Sequence, residues 1–272
     1  MHAAADIPSS WNRAIAYGDG LFETILVLDG AAPLWSFHRM RLQQSIQRMN
    51  IHCDIAELEK SFHSLAGQQP NTLVKIIVAR SGGKRGYDSR SANDSTFHLQ
   101  HYPLPQYSHK RITDGVRLHV CNQRLSHNAG LAGIKHLNRL EQVAAATERQ
   151  SDWADEGLML DSRGAVIEGV SSNIFIVRND VLATPRLDYC GVAGVMRAAI
   201  MDKFSRTLSL SVQETRLTLD DMLSADTVFI CNSIFGLWPV NAIGVSLLPM
   251  HSGIIEQLWQ QLNNLGYARL YG

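Results

Sequence analysis

LAGIKHLNRLEQ, residues 131–142, is the stretch from which the fold of this chain is read. Lys135 follows a glycine and an isoleucine, and a helical pattern begins just beyond it, from about Leu137 to Gln150. A lysine held among apolar residues has its charged form disfavoured, so its amine becomes nucleophilic. The position also fits a solvated surface group, as most lysines are. On either side, strands and helices interleave. LFETILVL (21–28) reads as a strand closed by an Asp29-Gly30 turn, and residues 34–49 carry Leu42, Ile46 and Met49 at helical spacing. LVKIIVAR (73–80) and TFHLQHY (96–102) are strand-like, with the glycine-rich SGGKRGY (81–87) between them. The polar stretch LPQYSHKRITDG (104–115) has no period and reads as a linker. Strands follow at 116–122, 157–161, 173–177 and 227–233, with helices at 195–208 and 254–265. Thr218 and Asp221 are spaced for a capping box. The predicted class is α/β or mixed α+β. It comprises a small domain over 1–104, a linker over 105–115 and a larger domain over 116–272 that carries Lys135.

Composition narrows the function. The 272 residues, 45% hydrophobic and 18% charged, can bury a sizeable core in one large or two moderate domains. The 25 basic and 25 acidic side chains cancel, which leaves no broad basic field for nucleic acid but allows a local anion pocket. Cys53, Cys121, Cys190 and Cys231 form no CxxC pair, so free thiols are expected and no metal site. The opening MHAAADIPSSWNRA lacks an apolar signal core. No stretch approaches the ~20 apolar residues of a membrane helix. A cytoplasmic enzyme without membrane or nucleic-acid partners is expected.

Four further features carry chemistry. Glu168, in VIEGVSSNIF, stands at the edge of a strand and could accept a hydrogen bond from a protonated ring nitrogen, or cap the turn before the strand. Gly191 and Gly194 in GVAGVMRAAI permit a tight loop before a helix, whose first N–H groups form a phosphate seat; many such junctions are only turns. Arg41 could supply a guanidinium to that phosphate or be a solvated helix-face charge. Ser233 ends an apolar strand and could bond a phosphate oxygen or cap the next turn.

Together and in this order, these features resemble the fold-type IV family of pyridoxal-phosphate enzymes, which holds branched-chain and D-amino-acid aminotransferases and an aminodeoxychorismate lyase branch. The resemblance runs from about Tyr17 to Val240. It implies a two-domain, D-amino-acid-aminotransferase-like α/β fold, pyridoxal 5′-phosphate as cofactor, and a homodimer with sites near the subunit boundary. His38-x-x-Arg41-Leu42 matches the pattern that places an arginine on the cofactor phosphate. Lys135, before Leu137 and Asn138, matches the lysine that binds the cofactor covalently. Glu168-Gly169 before Ser172, Asn173 and Phe175 matches the ring-nitrogen acid. Gly194, Val195, Met196 and Arg197 match the helix start that wraps the phosphate, and Ser233 matches the later hydroxyl.

Three stretches look like the lyase branch: YGDGLFET (17–24), SGGKRGY (81–87) and AGIKHLNRLEQV (132–143). They imply 4-amino-4-deoxychorismate as substrate, loss of pyruvate and formation of 4-aminobenzoate for folate biosynthesis, with Lys135 as general base. Arg85 and Tyr87 are expected at the substrate carboxylates, or else at a solvated hairpin tip. The alternative is a D-amino-acid or branched-chain aminotransferase, using the same lysine and glutamate with a 2-oxo acid acceptor. A binding protein that kept the fold without catalysis is the reading from another class; the intact lysine, glutamate and loop argue against it. Family members usually open with a strand soon after the initiator Met. MHAAADIPSSW is not strand-like, so that strand is expected to be missing or altered.

Overall fold

The computed structural model describes residues 12–82, 86–148, 153–250 and 253–272. The expectation for the first strand falls on residues outside these, as does Arg85. The chain divides into two compact units, residues 1–104 with 134–139, and residues 105–133 with 140–272.

The first unit is an antiparallel sheet of β1 (Gly20–Val27), β2 (Thr72–Ser81) and β3 (Asp94–Tyr102), in that order, with helices Trp35–Arg48 and Ile55–Gln68. Leu21, Ile25 and Val27 of β1 alternate into a core with Val74, Ile76 and Val78 of β2 and with Leu42, Ile46, Leu58 and Phe62 of the helices. Asp54 starts the second helix by accepting the Glu57 N–H at 3.0 Å. Trp35 stacks on Phe62 at 4.2 Å.

The expected division placed Lys135 in the larger domain, but Ile134–Arg139 belongs to the first unit. Ile134 is buried in the first unit's core. The edge of β1 takes up the backbone that follows: the Phe22 N–H donates to the Lys135 carbonyl at 3.0 Å and the Leu137 N–H to the Gly20 carbonyl at 3.0 Å.

The second unit holds a larger mixed sheet in the order β6-β5-β4-β11-β10-β7-β8-β9, with β12 (Ser246–Leu247) on β11. Its strands are β4 (Val116–Leu125), β5 (Glu156–Asp161), β6 (Val166–Gly169), β7 (Asn173–Arg178), β8 (Val181–Pro185), β9 (Ser211–Thr215), β10 (Thr227–Asn232) and β11 (Gly236–Ile243). β4 runs parallel to both β5 and β11. Strands β5 and β7 are apolar through their middles and almost wholly buried, as expected for strands covered on both faces. The helical stretch at 195–208 is α at Val195–Ala199, π at Ile200–Phe204 and α again at Ser205–Leu208. The Thr218–Asp221 capping box forms with both of its bonds. Residues 105–115 are not a bare linker. Lys110–Thr113 is helical, and the Tyr107 N–H donates to the Leu270 carbonyl at 2.8 Å, within the second unit.

A methyl group at Gly20 would strike the Val78 carbonyl oxygen on β2 and lie 2.8 Å from Leu137 Cδ1 and 3.2 Å from Ala79 Cα. Gly20→Ala is therefore expected to destabilise the protein by about 1–3 kcal/mol through overpacking. Urea unfolding checks this, and an unchanged midpoint contradicts the close packing of β2 and Leu137 against Gly20.

Candidate active site

In the first unit the lysine segment lies along β1. The Lys135 Nζ stands 4.3 Å from the centroid of the Phe22 ring, a cation–π contact made by its strand neighbour. One residue further along β1, Glu23 is buried and points to the helix Trp35–Arg48. Its carboxylate accepts from Arg41 Nε at 2.8 Å, from Arg41 Nη2, and meets His38 Nδ1 at 2.7 Å. Arg41 is thus a buried ion-pair partner, which rules out the solvated helix face. Burial alone would raise the Glu23 pKa, yet the Arg41 charge and the His38 and Arg41 hydrogen bonds outweigh it and hold the carboxyl at about 2. Burial lowers the His38 pKa despite its bond to Glu23, and the charges of Arg41 and Lys135 push it the same way. Beside Lys135, His136 is pushed down to about 4 by burial and by Arg139.

The hairpin loop of this unit is tied down from below. Arg13 donates to the Gly86 carbonyl at 2.9 Å and the Tyr87 carbonyl at 3.3 Å, and is itself paired with Asp19 at 2.8 Å. The Gly86 N–H donates to the Tyr17 hydroxyl at 3.2 Å. The Tyr87 ring, 5.1 Å from that of Tyr17, is left exposed.

In the second unit Glu168 lies within β6, buried, rather than at a turn before a strand. Its Oε2 accepts the Val192 N–H at 2.7 Å, and its Oε1 accepts from Gln142 Nε2 at 3.3 Å. The structure thereby brings together Glu168 and the Gly191–Gly194 loop. Gly191 adopts φ +86°, a left-handed conformation suited to glycine, and a Cβ there would lie 2.7 Å from Ile167 Cγ2. A Cβ at Gly194 would strike the Asn173 side-chain oxygen; the Asn173 amide meanwhile donates to the Val192 carbonyl at 2.9 Å. Gly194 caps the helix that starts with Val195 and Met196, and no side chain caps it. Ser233 occupies the turn after β10. Its carbonyl accepts from the Tyr267 hydroxyl at 2.8 Å, and Asn232 caps that turn through the Ile234 and Phe235 N–H groups at 2.9 Å each.

Sequence reasoning missed Glu23, His38 as its partner, and Gln142. Glu23 had a signal, being the one acidic residue of the mainly apolar β1. Gln142 stood within the quoted lysine stretch, but its partner could not be read from spacing.

A family described as amino-transferase class IV matches residues 20–243. This chain belongs to the class IV aminotransferases. Among class IV relatives, a crystal structure of 4-amino-4-deoxychorismate lyase from Pseudomonas aeruginosa aligns with a TM-score of 0.90 and 37% identity, over 96% of each chain. The aminodeoxychorismate lyase of Vibrio harveyi is 33% identical over 233 residues, 85% of this chain and 86% of its own. A Methanocaldococcus jannaschii protein named for branched-chain-amino-acid aminotransfer is 31% identical over 237 residues, 85% of this chain and 81% of its own. The mixed α/β fold is the one class IV enzymes share.

Glu23→Gln leaves the buried Arg41 without its countercharge and is expected to cost about 3–5 kcal/mol. In the wild type, the depressed Glu23 pKa contributes stability that is complete above its ordinary value of 4.5 and lost as pH falls towards about 2. Urea titrations between pH 7 and acid should therefore show a stability loss over that window that is flattened in the variant. Equal slopes in the two proteins contradict the assignment.

Proposed function

We propose that this chain converts 4-amino-4-deoxychorismate to 4-aminobenzoate and pyruvate, with pyridoxal 5′-phosphate bound through Lys135. The observation that carries this reading is the 37% identity to the Pseudomonas aeruginosa lyase over 96% of both chains.

The residues present suit the cofactor. Glu168 is a buried carboxylate that accepts from the Val192 N–H and the Gln142 amide, an acceptor group of the kind a cofactor's ring N–H needs. The Gly194 cradle has no room for a Cβ, and the helix behind it starts without a side-chain cap, as a phosphate seat requires. When bound, pyridoxal phosphate supplies an electron-withdrawing ring for the electron pair released at the carbon bearing the substrate nitrogen. Gly194, Val195, Met196, Ser233 and Arg41 are assigned to the phosphate, and Glu168 to the ring nitrogen. Lys135 takes the proton from that carbon as general base. The carbon–oxygen bond to the enolpyruvyl group then breaks, pyruvate departs, and aromatisation of the ring drives the step forward. Arg85 and Tyr87 are assigned to the substrate carboxylates; the tethering of the loop through Arg13 supports this for Tyr87. We read the working form as a cytoplasmic homodimer. Leu140 and Val143, exposed apolar residues one helical turn apart, support a partner surface.

A second reading, aminotransfer between an amino acid and a 2-oxo acid, is favoured by the 31% identity to the Methanocaldococcus jannaschii protein. The two part experimentally. With 4-amino-4-deoxychorismate and no 2-oxo acid, the lyase reading expects equal pyruvate and 4-aminobenzoate over many turnovers. Inactivity there, with steady exchange between a D-amino acid and 2-oxoglutarate, supports the aminotransferase. Lys135→Ala is expected to lower turnover by at least about 10²–10⁴-fold. Borohydride reduction of the wild type followed by peptide mapping should tag Lys135, and a tag on another lysine overturns the site. Glu168→Ala loses a charged hydrogen bond of roughly 1.5–3 kcal/mol and should retain the fold while losing most turnover.

A further inference from the structure

A cavity of about 190 Å³ opens in the second unit between the β5–β6 turn, residues 186–190 and the end of β9. None of the residues assigned above to cofactor or substrate lines it. Its floor is apolar, with Ala165, Val166, Ile167 and Cys190 all buried. One wall is aromatic: the His127 and Tyr189 rings stack at 5.1 Å and 18°. The rim is cationic, with exposed Arg163, Arg186 and Arg216.

The two carboxylates at the cavity are already engaged. Asp161 meets His127 Nε2 at 2.8 Å and accepts the Arg163 and Ala165 N–H groups at 2.9 and 2.8 Å. Asp188 pairs with Arg186 at 2.9 Å. Positive charge is therefore in excess on the side of Arg163 and Arg216, where Arg216 Nη2 reaches the Arg163 carbonyl at 3.5 Å. The Arg163 guanidinium also lies 5.8 Å from the Tyr189 ring centroid. The volume is below that of drug-sized sites and admits a single ring.

From the apolar floor, stacked aromatic wall and guanidinium rim, we infer that this cavity binds a small planar aromatic carboxylate. Its ring lies against Tyr189 and the floor, and its carboxylate meets Arg163 and Arg216. The floor residues Ile167 and Cys190 are the chain neighbours of Glu168 and Gly191, and Glu168 in turn holds the Val192 N–H at 2.7 Å. A ligand seated here thus touches the backbone that carries the proposed ring-nitrogen acid. It has a physical route to act on that acid without entering the catalytic site. The product of the proposed reaction belongs to this ligand class, so the pocket is a candidate for product feedback. That clause rests on the proposed function; binding itself does not.

The test reads binding at the pocket, not turnover. In protein labelled at histidine, benzoate and 4-aminobenzoate are titrated against the His127 ring resonances, assigned with His127→Gln. A saturable shift with a Kd of about 1 mM is expected for a ligand of this size. The Kd should rise about tenfold in Arg163→Gln/Arg216→Gln, whose two side chains are exposed, and stay unchanged in Lys135→Ala. Cyclohexanecarboxylate, which is not planar, should bind several-fold more weakly. His127 resonances that do not move, a Kd indifferent to the two arginines, loss of the shift in Lys135→Ala, or equal binding of cyclohexanecarboxylate would each overturn the inference. A positive binding result together with no lyase activity would retain the pocket and discard only the product-feedback clause.

Discussion

Glu23 sits in the middle of β1, its carboxylate enclosed with Arg41 and His38 of the following helix. An ionised carboxylate out of water costs several kcal/mol unless its partners are well placed, so this cluster sets where the helix lies against the sheet. β1 can therefore be an edge strand and still be held in register. Its outer edge is then open to receive the backbone of Lys135 and Leu137. The position of the amine follows from main-chain pairing, which any side chain tolerates, and from the glycine at 20, which leaves room for Leu137.

The two units neutralise buried carboxylates in different ways. Glu23 is given a guanidinium and becomes a closed ion pair. Glu168 accepts from the Val192 N–H and the Gln142 amide. A carboxylate solvated by neutral dipoles can still attract a cationic ring, whereas one already paired with arginine has spent most of that attraction.

Much of this was legible in the sequence. Strands with strong apolar runs, such as β1, β2, β7 and β10, were found within a residue or two, because burial on both faces leaves an unbroken apolar signature. The helix at 195–208 and the Thr218 capping box were also found, since caps are local chemistry. Helix Ile55–Gln68 went unread although Leu58, Phe62 and Ala66 recur every four residues; polar residues between them hide the stripe. Short β8, β9 and β12 offered too few residues for a period. Lys135, Glu168 and the glycine loop could be singled out as candidates because each stands in a specific local pattern. The membership of Lys135 in the first unit was not, because main-chain hydrogen bonds leave no trace in side-chain identity. The partners of Gln142 and Glu23 were hidden for a related reason, lying 26 and 18 residues away.

The return of residues 134–139 to the first unit also bears on how the chain is made. Synthesis proceeds from the N-terminus, and residues 1–104 emerge well before the segment that completes their sheet. Until residue 139 has left the ribosome, the Phe22 N–H and the Gly20 carbonyl of β1 lack the main-chain partners the lysine segment gives them, and strand-edge groups of that kind recruit foreign strands. Closing it requires a contact more than one hundred residues apart in sequence, between Leu21 and His136, and contacts of that range form slowly. The nascent chain is thus most exposed to misassembly between the end of β3 and the arrival of the lysine segment, and a chaperone that shields strand edges would act in that interval.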